Sequence, residues 1–153
     1  MKVARFLIIL LMVAGIATLA YCETATREAK ILDMQGKVTV RTVSGDKVPA
    51  ELGMVLHEGD IVKTGSGAFA LVKLEGPETA TVEVNENAQM LLSEMQMDTE
   101  AGTQNTLLDL AIGKILIKAD KLHSDKSKFE VKTPTSVVGV RGTTFAVEVE
   151  GLE

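Results

Sequence analysis

Reactive chemistry needs particular side chains at particular spacings, and few are present in this chain. One cysteine (Cys22) and two histidines (His57, His123) are spread over 153 residues. Two histidines so far apart do not specify a metal centre. The segment His57-Glu58-Gly59-Asp60 lacks the i, i+4 histidine pair of a zinc-protease helix. The single cysteine closes an apolar N-terminal stretch, so neither a Cys–His nor a Ser–His–Asp nucleophile set can be assembled. The expectation is a non-enzymatic protein with no cofactor and no metal.

Arg141 carries more chemical content. It sits in Val138-Gly139-Val140-Arg141-Gly142-Thr143, where apolar neighbours predict partial burial. A buried guanidinium needs a partner, and its fork grips a carboxylate at two points. Two readings stay open for it: an internal pair with a turn carboxylate, or an exposed contact with an anion or partner. Gly59-Asp60 and Thr64-Gly65 read as turns, with glycine at positive φ and the Asp or Thr side chain bonding nearby backbone.

The elements that must hold these residues follow from composition and period. The chain has a formal charge of −5, 46% apolar residues and 3% aromatics. Residues 1–21 contribute 17 apolar residues and only two charges, Lys2 and Arg5, leaving 14 bases against 21 acids in the remainder. That acidic balance excludes general nucleic-acid binding, which needs clustered positive charge. One cysteine excludes an internal disulfide scaffold. Charge is also uneven along the chain. Eight acids and no base lie between Leu74 and Gly113, while seven bases face three acids over 114–141. Each block is a solvated face by default, and their separation is also of a kind that steers a partner or weakly holds divalent cations.

Residues 1–21 read as a signal peptide: a basic start, then an uncharged run from Phe6 to Ala20, short for a bilayer crossing. Thr18-Leu19-Ala20 offers the small residues a signal peptidase reads. Leu19-Ala20-Tyr21-Cys22 resembles a lipoprotein box, with Tyr21 where a small residue is usual, which makes Cys22 the candidate lipidation site. Ordinary cleavage is the other reading. Membrane contact is expected only through such a lipid or an uncleaved N-terminal anchor. Export to the periplasm or cell envelope follows.

Residues 22–30 are polar and read as a linker. From Ile31 to about residue 150 short apolar runs alternate with a period of two between Gly, Asp, Asn and Ser clusters. Strands are predicted at 38–42, 61–64, 68–74, 80–84, 129–133 and 145–149. Met90–Met97 fits a strand or a helix, and 98–105 and 120–128 read as polar loops. Gly113, between Leu108-Leu110-Ile112 and Ile115-Ile117, marks a bulge or tight bend. About ten short strands without helical crossovers make one all-β domain, a short-stranded β-sandwich or β-roll.

Two segments go beyond pattern. Leu56-His57-Glu58-Gly59-Asp60-Ile61-Val62-Lys63-Thr64-Gly65-Ser66-Gly67 and Phe129-Glu130-Val131-Lys132-Thr133-Pro134 through Val140-Arg141-Gly142-Thr143-Thr144-Phe145-Ala146-Val147 resemble the FecR domain. That domain is named after the periplasmic part of the ferric-citrate transport regulator. Gln35-Gly36-Lys37-Val38-Thr39-Val40 resembles its usual opening, so the likeness covers about residues 30–150. The motif positions are Gly59, Asp60, Thr64, Gly65, Thr133, Pro134, Val140, Arg141, Gly142, Thr143 and Phe145.

The resemblance implies an all-β extracytoplasmic domain without catalytic residues. In the regulators the domain follows a cytoplasmic sigma-factor-binding segment and a membrane helix. Here five residues precede the apolar run and few follow the last motif, so a free-standing form is expected. The expected role is a protein-binding or scaffold module with an envelope protein as partner, in signalling linked to iron uptake. The alternative is a sensor for a small molecule, an anion or a metal chelate near Arg141 and the Lys-rich loop.

Overall fold

The structure, a computed structural model, describes residues 24–120, 125–142 and 144–151. The signal-peptide segment, Cys22, His123 and Thr143 lie outside the described residues. Among the described residues thirteen strands follow in order. They are β1 (Thr24–Thr26), β2 (Ala29–Gln35), β3 (Val38–Arg41), β4 (Lys47–Pro49), β5 (Val55–Leu56) and β6 (Ile61–Thr64). Next come β7 (Phe69–Leu74), β8 (Ala80–Val84), β9 (Gln89–Asp98), β10 (Thr103–Ala119), β11 (Lys128–Lys132), β12 (Val137–Val140) and β13 (Thr144–Val149). The all-β expectation holds. The strand count exceeds ten because β1, β4 and β5 have only two or three residues each, too few for a period to register.

Period two becomes burial directly. In β7, Ala70, Val72 and Leu74 are buried while Phe69, Leu71 and Lys73 are half-buried; Ala80, Val82 and Val84 repeat the pattern in β8. Met90–Met97 is strand, part of β9, whose Met90, Leu92 and Met95 join one hydrophobic cluster with Val40, Val62, Ile115 and Ile117. The expected loop 98–105 shrinks to a turn at 99–102 between β9 and β10. The polar segment 22–30, read as a linker, holds β1, which pairs with β9, and the start of β2.

The strands form one curled sheet, and β10 belongs to both of its limbs. One limb runs β4-β3-β6-β9-β10, the other β10-β8-β7-β2-β5. The first half of β10 lies between β9 and β11, the second half between β8 and β13. Every pairing is antiparallel except β10–β11, which is parallel because the chain returns to the start of β10 before entering β11.

A strand of 17 residues would run about 55 Å if straight, whereas a compact domain of this length is about 35 Å across. The strand therefore has to bend. It does so at Gly113, where φ is +91°, a value that a residue with a side chain resists. The bend also needs the missing side chain: a Cβ at Gly113 would sit 2.5 Å from the Cβ of Ala88 and 3.0 Å from its backbone nitrogen. The ladder to β9 shifts register between Leu110 and Ile112, just before the bend. The bend expected from sequence is thus a corner at which one strand passes from one limb to the other.

Gly113→Ala is expected to destabilise by more than about 3 kcal/mol, positive φ contributing about 1–2 and the collision with Ala88 the remainder. Gly45 has a similar φ of +94° but open space around it. Gly45→Ala should therefore lose only about 1–2 kcal/mol. Urea unfolding of the two variants checks the contrast.

Candidate functional site

The first motif builds the corner. Asp60 is buried, and its two carboxylate oxygens accept from the backbone N–H groups of Val43 (3.0 Å) and His57 (2.9 Å). Its own carbonyl accepts from Leu92 N–H at 3.0 Å, and Gly59 N–H donates to Leu92 O at 2.7 Å. Together these bonds fasten the turn to β9. Gly59 takes a φ of +93° as expected, and a Cβ there would meet Val43 Cγ2 at 2.9 Å. Gly65 departs from the expectation. Its φ is not positive, and it instead donates to the Lys37 carbonyl at 2.9 Å where two backbones pass closely.

Thr64 reaches further. It is buried, its N–H donates to Ala88 O (3.0 Å), its hydroxyl accepts from Ala88 N–H (3.0 Å), and that hydroxyl donates to Asn85 O. Asn85 N–H in turn donates to Lys114 O at 2.9 Å. Thr64 therefore grips the 85–88 turn, and that turn is the surface against which Gly113 bends.

The second motif builds a wall. Thr133 is buried; its N–H donates to Ser136 O (2.8 Å) and its hydroxyl accepts from Ser136 N–H (3.0 Å), closing the turn that carries Pro134 between β11 and β12. Val140 is buried, Gly142 has φ +64°, and Phe145 packs half-buried against the core.

Arg141 is not buried. Its side chain is 69% exposed and pairs with Asp125, itself 89% exposed. The partner is a loop carboxylate of its own chain, but in water such a pair contributes little. The depression around the pair, about 220 Å³, also presents Glu130.

The buried arginine is one that sequence reasoning missed. Arg27, between β1 and β2, is 5% exposed. Its Nε donates to Glu75 O (2.8 Å) and one terminal nitrogen donates to Thr106 Oγ1 (2.9 Å). Burial pushes its guanidinium below the ordinary arginine range, and attraction to Glu78 opposes that shift. Glu78 is also buried and accepts from Gln104 Nε2 at 2.8 Å. No local pattern marks Arg27, because its partners lie 48 and 79 positions away.

Beside the turn built by the second motif lies a cleft of about 870 Å³. Its floor is Ala111 and Ile112 of β10, one wall is the 133–136 turn with Val138, and the other is β13 from Ala146 onward. It exists because the ladder on this edge of β10 breaks. β11 ends its pairing at Asp109↔Lys132, and β13 begins at Gly113↔Val149. Among the described residues the charged side chains lining it are Glu148 and Glu150. His57 is exposed beside Glu28 at 3.9 Å, and no group of three or more metal-ligating side chains occurs among the described residues.

A family model described as FecR protein matches residues 60–152, more than half of the chain. The chain belongs to the FecR family. The match runs from the motif aspartate through β13, so it takes in the corner and both walls of the cleft but starts later than residue 30. No curated protein and no solved structure matches. Membership in the FecR family points to a signalling or regulatory module of the cell envelope.

The two arginines separate by stability. Arg27→Ala should cost about 3–5 kcal/mol, since it strands a buried carboxylate. Arg141→Met, which removes an exposed pair, should stay within about 0.5 kcal/mol. Thermal melting of both variants measures the difference, and equal losses would contradict this assignment of burial.

Proposed function

We propose that the chain is an extracytoplasmic, non-enzymatic protein-binding module of the bacterial cell envelope, acting in signalling. The observation that carries this reading is the use of the family motif. Asp60, Thr64 and Thr133 have their polar atoms engaged with backbone, which leaves them as builders of a corner and a wall rather than as reactive groups. Beside the turn that Thr133 closes is an apolar-floored cleft with a free strand edge, a surface suited to another polypeptide. The family context adds the link to iron uptake and an envelope protein as partner. The sequence adds export, through the basic start and apolar run of residues 1–21.

The alternative, a sensor for an anion or metal chelate, would draw on Arg141. Its guanidinium is already paired with Asp125 and faces Glu130 across a shallow depression, so an incoming anion would compete with two carboxylates. That arrangement favours the protein-binding reading.

Fusing alkaline phosphatase, which is active only outside the cytoplasm, after residue 30 should give an active enzyme. An inactive fusion with unprocessed chain in the cytosol would overturn the location. Palmitate labelling lost on Cys22→Ser would identify the lipoprotein form of the signal, and a label retained in that variant would exclude it.

A further inference from the structure

Resting on that reading, we infer that the partner binds as an extended strand added to the free edge of β13, filling the cleft with alternating aliphatic side chains and presenting a basic residue to Glu150. Three features converge on this mode.

The first is the edge itself. β13 has six residues and, among the described residues, pairs with β10 alone. Proteins guard such edges with lysine, proline or shortness. The edge strand β4 carries Lys47 and Pro49 within three residues, and β5 has only two residues. β13 is longer and contains neither lysine nor proline, and its one charge, Glu148, is engaged by Lys114 of the neighbouring strand.

The second feature is the floor beside that edge. Ile112 is 39% exposed, and Pro134, Val138 and Val149 complete an apolar surface onto which every second side chain of an added strand would point.

The third feature is charge. Among the described residues both charged side chains lining the cleft are acids. Glu148 is taken by Lys114 at 3.2 Å. Glu150 has no basic partner among the described residues. A cation on the partner strand supplies it. A second copy of this chain supplies no unpaired cation, because pairing β13 with β13 brings two more carboxylates and the nearest base, Lys114, is already held by Glu148.

The probe is a fluorescent ten-residue peptide alternating valine and threonine with two lysines, titrated by anisotropy against the full chain purified from the envelope fraction. Methylating alternate backbone nitrogens of the peptide keeps its side chains but removes the strand hydrogen bonds, and should weaken binding more than about tenfold. Exchanging the two lysines for glutamates should weaken it about fivefold. Glu150→Lys, at an exposed position that leaves the core intact, should reverse that preference.

Equal binding of the methylated peptide, or wild-type indifference to the charge exchange, overturns the inference. So does a dimer seen by light scattering that the peptide cannot dissociate, because a second copy would then be the occupant. In intact cells, a photo-crosslinker at Ala146 should capture a partner protein, while one at Val43, exposed on a separate turn, should not. Capture from Val43 alone would refute strand addition but keep the binding-module reading. Capture from neither position would refute both.

Discussion

A 17-residue strand shared by two limbs of a sheet has to turn somewhere, and nearly everything else in this fold is arranged around where β10 turns. The turn needs a residue without a side chain at Gly113 and a backbone to press against at Ala88. Ala88 needs something to hold it, and Thr64 does so through both its backbone and its hydroxyl. The turn bearing Thr64 follows another fastened to β9 by Asp60 and Gly59. The family motif is therefore a chain of supports for one bend. Each support consists of a few hydrogen bonds, about 1 kcal/mol net apiece, but losing any one leaves buried backbone groups without partners.

The limbs are joined at a second place, and by different physics. Arg27 stands where the chain leaves β1 on one limb for β2 on the other. It bonds to Glu75 at the end of β7 and to Thr106 in the first half of β10. Burying a guanidinium costs several kcal/mol, and only good geometry and an opposing charge such as Glu78 offset it. In exchange the contact is directional. Apolar packing across the core tolerates sliding, whereas a guanidinium held to a carbonyl and a hydroxyl on different strands fixes their relation.

Most of the strands and the bend were legible in the sequence because they depend on local rules. Ala70-Val72-Leu74 and Ala80-Val82-Val84 state their burial by alternation, and Gly113 interrupts an apolar run where no loop residues follow. What was hidden depends on residues far apart in the chain. Arg27 sits among polar neighbours and looks like a linker residue until β7 and β10 come to it. Arg141 has apolar neighbours and looks buried, but β12 lies at an edge where Val137 is 59% exposed, so those neighbours enclose nothing. The start of β10, Thr103-Gln104-Asn105, reads as loop, yet Gln104 is buried, like the adjacent Thr106, because both serve the arginine cluster. The cleft was invisible for the same reason, since its floor and walls come from residues 111–112, 133–138 and 146–151.

The cleft follows from the bend by geometry. When a strand turns a corner, the ladder on one edge closes and the ladder on the other opens. On the closing edge of β10 the 85–88 turn fills the angle between β8 and β9, with Asn85 N–H bonded to Lys114 O and Ala88 against Gly113. On the opening edge no strand among the described residues bridges from Asp109↔Lys132 to Gly113↔Val149. Backbone between two separated ladders still seeks partners, and apolar side chains beside it still favour cover. The constraint that lets this chain fold as one curled sheet thus also leaves an apolar-floored cleft beside the free edge of β13, where an added strand extends the sheet without disturbing the core.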